Sequence, residues 1–116
     1  MKPRQGDIVL IPVPFTDLSS RKRRPVVVVS SDEYNDESPD ILVVAMTSNP
    51  QQTPWSLRIT EHDLRAGRLN RPGTIRADKI YTLAQSLVVN RFASVSPEML
   101  RRIHATLTRA LGIRTR

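Results

Sequence analysis

The strongest indication of the fold is the stretch Arg21-Lys22-Arg23-Arg24-Pro25-Val26-Val27-Val28-Val29-Ser30. Its first part carries four consecutive cations, and its second part carries four consecutive valines. β-Branched residues favour strands, and an unbroken apolar run is typical of a strand that is buried on both faces. We therefore predict a central strand over residues 25–30 that the chain enters from a strongly basic loop.

Other short apolar runs are separated by proline, glycine and polar residues that are typical of turns. They predict five more strands, at residues 8–11, 41–47, 55–59, 74–80 and 87–92. Residues 31–40 are acidic and include Pro39, so we predict a loop there. Thr60 and Asp63 have the spacing of a capping box, which predicts a short helical turn that ends at Gly67.

The last segment predicts an amphipathic helix. Ser96 is a good N-cap, Pro97 suits the first helical position, and Gly112 is a typical stop. One apolar stripe is formed by Met99, Leu100, Ile103, Leu107, Ala110 and Leu111. Many short strands and one terminal helix predict a mainly β, α+β fold, a barrel-like antiparallel sheet with helices outside it. The 116 residues suffice for a single domain over residues 1–116.

The composition predicts a polyanionic partner. The chain has 18 lysines and arginines against 11 aspartates and glutamates, a formal net charge of +7. Basic side chains placed against phosphates release counterions, which favours binding of nucleic acid. A surplus of surface arginine, or an acidic protein partner, is the alternative explanation.

Several kinds of chemistry are excluded or disfavoured. The chain has no cysteine, which excludes disulfides and thiolate ligands. Neither His62 nor His104 belongs to a metal-ligand spacing, so we expect no metal and no cofactor.

No apolar run approaches the ~20 residues that span a bilayer, and the start lacks the apolar core of a signal peptide. We therefore expect a cytoplasmic location and no membrane.

The strand register places two candidate catalytic residues together. The second and third strands follow each other, so the simplest topology pairs them antiparallel. Matching their ends brings Arg24 opposite Thr47, beside the basic loop. A guanidinium and a hydroxyl can both donate hydrogen bonds to phosphate oxygens. The alternative for the four adjacent cations is a solvated loop.

Arg76 and Asp78 form a second candidate pair. Strand alternation puts their side chains on one face, with alpha carbons about 6.6 Å apart. Asp78 could accept a proton from a ribose 2′-hydroxyl while Arg76 stabilises charge on the phosphoryl oxygens. The alternative is a simple exposed ion pair, which contributes about 0.2–1 kcal/mol.

Further RNA contacts are predicted around these four residues. Aromatic residues make up only 4% of the chain, which disfavours an extended stacking platform. The single tryptophan could stack on one exposed base, although a core position is the alternative. The predicted RNA-binding residues are Arg21, Lys22, Arg23, Ser48, Asn49, Trp55 and Lys79.

Five motifs, in order, resemble the MazF/PemK family of toxins over nearly the whole chain. They are Gly6-Asp7-Ile8-Val9, the stretch from Pro14 to Ser20 followed by Arg23-Arg24-Pro25-Val26-Val27-Val28, Ala45-Met46-Thr47-Ser48, Ile75-Arg76-Ala77-Asp78-Lys79-Ile80, and the helix from Ser96 to Gly112. The resemblance implies an SH3-like barrel, a homodimer with RNA across its interface, and a cognate antitoxin with an acidic, partly disordered segment.

The resemblance also implies metal-independent, sequence-specific cleavage of single-stranded RNA, which inhibits translation and growth. The 2′-hydroxyl attacks the adjacent phosphate and leaves 2′,3′-cyclic phosphate and 5′-hydroxyl ends. Arg24 and Thr47 match the family's core catalytic pair, and Arg76 and Asp78 match the pair used by one branch. Lys79 departs from the asparagine or glutamine that often stands there, and the identity of the general base stays open.

Two alternatives belong to other functional classes. A family of toxins that bind and poison DNA gyrase resembles the same barrel and acts through its C-terminal end, and this chain ends in Leu111-Gly112-Ile113 before Arg114. The Arg-Pro and Thr-Ser motifs argue against this alternative because a gyrase binder does not need them. A non-catalytic nucleic-acid-binding module would use the basic loop only electrostatically.

Overall fold

The computed structural model of the chain describes residues 2–12 and 23–114. Seven strands lie in these ranges: β1 (Asp7–Pro12), β2 (Arg23–Val28), β3 (Asp40–Thr47), β4 (Ser56–Ile59), β5 (Leu64–Gly67), β6 (Gly73–Ala84) and β7 (Asn90–Val95). Two α-helices are present there, α1 (Asp32–Glu37) and α2 (Pro97–Leu111). Single 3-10 turns cover Glu61–Asp63 and Gln85–Leu87.

All seven strands form one antiparallel sheet in the order β4-β6-β3-β2-β1-β7-β5. The sheet curls into a half-barrel, in which β6 pairs with β3 along one edge and with β4 along the other. This confirms the predicted fold class, a barrel-like antiparallel sheet with a C-terminal helix and a short outer helix.

The valine run of β2 is buried on both faces, as predicted. Val27 belongs to the main core, which α2 covers through Met99 and Ile103. Val26 and Val28 face the other way into a second apolar cluster, which Leu83 and Val88 partly cover. Strand β2 is therefore held from both sides, and the basic residues at its start project from a firmly packed element.

Asp7, from the Gly-Asp motif at the start of β1, has a structural role. Its buried carboxylate accepts hydrogen bonds from the Arg4 backbone N–H at 2.8 Å and from the Ser94 hydroxyl at 2.9 Å. Arg91 lies 3.5 Å away and supplies the counter-charge. A buried carboxylate needs such partners, and here they join β1 to β7.

Several predicted elements differ in the structure, including β2, which begins at Arg23 and so contains two of the cations predicted to lie in a loop. The predicted loop at residues 31–40 contains α1, which begins because the Ser31 side chain accepts a hydrogen bond from the Tyr34 N–H. The strand predicted at 87–92 begins only at Asn90. A 3-10 turn precedes it, held by the Gln85 side-chain amide, which donates to the carbonyls of Asn35, Ser38 and Asp40. Neither arrangement follows from apolar periodicity.

The capping box of Thr60 and Asp63 is confirmed, but Gly67 ends a strand and not a helical turn. Gly67 has a positive φ of 84°, where β5 pairs with β7 opposite Ala93. A Cβ at this position would lie 2.2 Å from the Phe92 carbonyl oxygen. Only glycine fits this close approach of the two strands.

Helix α2 has the predicted ends, but its apolar stripe is only partly buried, because Ala110 and Leu111 are exposed. The Ser96 side chain accepts a hydrogen bond from the Met99 N–H, and Pro97 occupies the first turn. Gly112 adopts the left-handed conformation and ends the helix.

Candidate functional site

Arg24 and Thr47 lie at the same end of the β2–β3 pair. The two strands pair Val26 with Ala45 and Val27 with Val44. Continuing this register by two residues sets Arg24 opposite Thr47, as the sequence predicted. Both residues line the same two cavities, so the register brings a permanent cation and a hydroxyl to one place on the surface.

The two cavities lie on either side of this pair. The smaller one has a volume of about 240 Å³ and is lined by Arg24, Thr47, Asn49, Arg76 and Lys79, among others. The larger one has a volume of about 570 Å³ and extends toward β7 and the loop before β6. Arg24 and Thr47 therefore lie between a small cavity lined by cationic and polar side chains and a larger cavity lined by both cationic and apolar side chains.

The Thr47 hydroxyl is oriented by the loop that follows β3. The Asn49 backbone N–H donates to Thr47 Oγ1 at 3.1 Å. Asn49 is in turn held by Gln51, whose N–H donates to Asn49 Oδ1 at 3.0 Å. Because the Thr47 oxygen already accepts a hydrogen bond, its own proton can be donated to a ligand in the cavity.

A bulge in β6 brings Arg76 and Lys79 to the smaller cavity. Val44 of β3 pairs with Ile80, but the next residue, Ala45, pairs with Arg76. Residues 77–79 have no counterpart on β3 and bend the strand, as bulges do. The bulge is held in place by the Ala77 N–H, which donates to the Trp55 carbonyl at 3.0 Å.

Arg76 and Asp78 form a two-bond ion pair on one face, as predicted. Arg76 Nε donates to Asp78 Oδ1 at 3.2 Å, and Arg76 Nη2 donates to Asp78 Oδ2 at 3.1 Å. The hydrogen bond from Arg76 lowers the pKa of Asp78, and the same bond raises the pKa of Arg76. Both groups are therefore charged at neutral pH, and Asp78 is a weaker base than an ordinary aspartate.

The family model of the PemK-like, MazF-like toxins of type II toxin–antitoxin systems matches residues 4–111. The chain belongs to this family. The match confirms the resemblance drawn from the five motifs, and it spans every element of the fold described above.

Known relatives of this toxin share its length and its fold. It is 24% identical to "Endoribonuclease MazF" of Staphylococcus saprophyticus over 115 residues. The matched region covers 97% of this chain and 93% of the relative. A MazE–MazF crystal structure from Deinococcus radiodurans has a TM-score of 0.79 at 24% identity and covers 97% of this chain and 98% of that one. A mycobacterial endoribonuclease in complex with its cognate antitoxin has a TM-score of 0.77 at 20% identity, and the match covers 98% of this chain and 99% of that one.

The structure distributes the predicted RNA-binding residues of the toxin over both cavities. Arg23 and Ser48 line the larger cavity, and Asn49 and Lys79 line the smaller one. Arg21 and Lys22 lie outside the described residues. Nothing in the sequence pointed to the other lining residues, because they come from distant loops and strands: Gln51, Thr53 and Tyr81 in the smaller cavity, and Leu69, Asn70, Arg71 and Phe92 in the larger one.

Trp55 lies away from both cavities. The Arg109 guanidinium stands 5.3 Å from the centre of its ring and donates to the Pro54 carbonyl at 3.2 Å. One face of the indole is thus occupied by a cation from α2. This contact anchors the far end of the loop that starts at Thr47.

The described part of the toxin contains no group of three histidine, cysteine, aspartate or glutamate side chains arranged to hold a metal ion. His62 is exposed, and His104 lies on α2 with its Nε2 3.3 Å from the Gln5 side-chain amide. Within residues 2–12 and 23–114, no helix is long and apolar enough to cross a membrane.

Proposed function

We propose that this toxin is a metal-independent, sequence-specific endoribonuclease that cleaves single-stranded RNA. The observation that carries the proposal is the convergence of Arg24, Thr47, Arg76 and Lys79 on one small cavity. Three cations and a hydroxyl donor are what a phosphodiester in a charged transition state needs. The name of the staphylococcal relative, an endoribonuclease, supports the same function.

The reaction needs no group other than those of the RNA and the protein. The ribose 2′-hydroxyl loses its proton as its oxygen forms a bond to phosphorus, and the bond from phosphorus to the 5′-oxygen breaks. The 5′-oxygen takes up a proton, so the products are a 2′,3′-cyclic phosphate and a 5′-hydroxyl with no net gain or loss of protons. Arg24 and Thr47 donate hydrogen bonds to the non-bridging oxygens, where negative charge builds up. Cleaved messages would stop translation and growth.

Asp78 is better suited to positioning Arg76 than to acting as the general base. Both carboxylate oxygens accept hydrogen bonds from the Arg76 guanidinium, and this interaction lowers the pKa of Asp78. A carboxylate held in this way is a poor proton acceptor for a 2′-hydroxyl. We therefore assign Asp78 the role of fixing the guanidinium and leave proton removal to another group.

Replacing Asp78 with asparagine tests this assignment. Because the substitution loosens Arg76 without removing it, we expect the cleavage rate to fall by up to about 10²-fold, the cost of a misplaced catalytic group. The acid limb of the pH–rate profile should keep its midpoint. The Asp78 carboxylate stays ionised until the pH falls through its lowered pKa, so the ion pair is intact at and above neutral pH. A loss of about 10²–10⁴-fold together with loss of the acid limb would instead identify Asp78 as the base.

We propose a homodimer because large apolar side chains near the site are exposed. Ile80, Tyr81, Leu87 and Val89 are each between 37% and 45% exposed and come from one continuous segment. Tyr81 also lines the smaller cavity. A second copy packed on these side chains would bury apolar surface beside the smaller cavity, so RNA would lie across the interface.

The cationic cavities also suit an antitoxin. An acidic, partly disordered segment laid over Arg23, Arg24 and Lys79 would neutralise their charge and block the entry of RNA. The mycobacterial and Deinococcus relatives are recorded in complex with an antitoxin or with MazE. Since the substrate and such a partner are cytoplasmic molecules, we place the toxin in the cytoplasm.

The proposed function is tested by incubating the purified chain with a long single-stranded RNA in excess EDTA and mapping the cut ends. We expect cuts at one short motif with 5′-hydroxyl ends, and sedimentation of the same preparation should give the mass of two chains. Thr47→Val keeps the shape of the side chain but removes the hydroxyl. It should lower the rate by about 10²-fold, which is typical for loss of one oxyanion donor.

The proposed nuclease function would be wrong if the protein left the RNA intact in this assay but still stopped cell growth. The gyrase-binding alternative would then lead, because Leu111 and Ile113 are 60% and 56% exposed at the C-terminal end. RNA that is bound but never cut would favour the non-catalytic binding module.

A further inference from the structure

We propose that the 570 Å³ cavity is a base-recognition recess, in which one unpaired nucleobase next to the scissile phosphate stacks on Phe92 and is read by Asn70. This inference rests on the proposed function and deepens it, because it names the part of the toxin that sets sequence preference. Arg24 and Thr47 form one edge of the recess, since both residues line it.

The position of the recess fits a nucleoside attached to the bound phosphate. A phosphate held between Arg24 and Thr47 has one neighbouring nucleotide on each side. The smaller cavity, toward Arg76, has a volume of about 240 Å³, and the recess on the other side has about 570 Å³. Only the larger one falls in the size range that is typical of ligand pockets.

The walls of the recess fit the flat face of a base. Apolar side chains converge on it from three strands and one loop: Leu10, Met46, Leu69 and Phe92. Phe92 is the aromatic group among the described lining residues, and it is half-buried against the main core, so its ring has a fixed position. Unstacked bases of single-stranded RNA bind in this way, with one face on an aromatic ring.

The rim of the recess supplies the polar groups that a base edge requires. Asn70 and Ser48 are exposed at its edge, and no described residue forms a hydrogen bond with the Asn70 side chain. A carboxamide offers a donor and an acceptor side by side, which is the complement of a Watson–Crick edge. Arg23 and Arg71 add positive charge for the backbone of the flanking nucleotides.

Binding of uncleavable dinucleotides tests the recess separately from catalysis. The probes are dinucleoside monophosphates in which a 2′-methoxy group replaces the attacking hydroxyl, with each of the four bases in turn. We expect the NMR signals of the Phe92 ring and of the Asn70 side-chain amide to shift on binding. Asn70→Ala and Phe92→Leu should each weaken binding by about tenfold, near the lower end of what one stacked base contributes.

Asn90→Ala is the matched control, because Asn90 is an exposed asparagine that lines neither cavity; it should bind like the unchanged protein. In RNA of random sequence, Asn70→Ala should keep the 5′-hydroxyl ends but lose preference at one position beside the cut. The proposed role of the recess would be wrong if NMR signals shifted only at Thr47 and Asn49 and if Asn70→Ala and Phe92→Leu kept the sequence preference of cleavage. Protein that never cuts RNA but shows the Phe92 and Asn70 shifts would overturn the nuclease and support the recess.

Discussion

Replacing Arg24 with alanine should lower the rate of RNA cleavage by about 10²–10³-fold, the usual cost of removing one preorganised donor from a charged transition state. Among the described cations, Arg24 alone lines both cavities, and it stands opposite Thr47, so we expect no neighbouring cation to replace it. Its side chain is exposed, and its backbone position in β2 is fixed by pairing with Ile11. The melting temperature should therefore hardly change. Single-turnover cleavage of a short RNA measures the effect.

Two variants separate the chemical role of Arg24 from its charge. Arg24→Lys keeps the charge but loses the forked donor, so it should recover only a small part of the rate. Arg23→Ala removes the adjacent cation, which lines only the larger cavity, and should weaken RNA affinity while leaving most of the maximal rate. Equal loss in Arg23→Ala and Arg24→Ala would show that the pair acts only through bulk charge.

Replacing Gly67 with alanine should destabilise the fold by about 2–5 kcal/mol, the sum of left-handed backbone strain and overpacking. The new Cβ would lie 2.2 Å from the Phe92 carbonyl oxygen and 2.6 Å from the Ala93 alpha carbon, both of them backbone atoms of β7. Neither can move without breaking the β5–β7 pairing. Denaturant unfolding measures the loss, which is a large share of the ~5–15 kcal/mol that stabilises a typical domain.

Gly112 provides the matched control for this substitution. It also has a positive φ, of 70°, but a Cβ there meets nothing within 4 Å. Gly112→Ala should therefore cost only the conformational part, about 1–2 kcal/mol. Similar losses in the two variants would mean that crowding between β5 and β7 at Gly67 is unimportant.

The parts of the fold that depend on local chemistry were predictable from the sequence. The valine run identified β2, and the cap and stop residues fixed the ends of α2. The pairing of Arg24 with Thr47 followed from two adjacent strands of nearly equal length. Each of these inferences uses neighbours in the chain, where hydrophobic pattern and capping act directly.

The parts that depend on distant contacts were not predictable. The bulge that lets β6 skip residues 77–79 arises from pairing with two other strands, and strand alternation gives no sign of it. The recess brings together Leu69, Asn70 and Phe92, which lie on a loop and a strand more than 20 residues apart. Helix α1 depends on a side-chain cap in a segment whose acidic composition indicated a loop.

The contact between Trp55 and Arg109 makes the intrinsic tryptophan fluorescence of the toxin sensitive to the position of the neighbouring loop. Trp55 is the single tryptophan of the chain, so all indole emission comes from the junction of α2 with the loop that carries Asn49. A molecule that shifts this loop changes the distance between the indole and the guanidinium cation, and with it the intensity and wavelength of emission. The arrival of RNA or of an inhibitor can thus be followed in time on unlabelled protein.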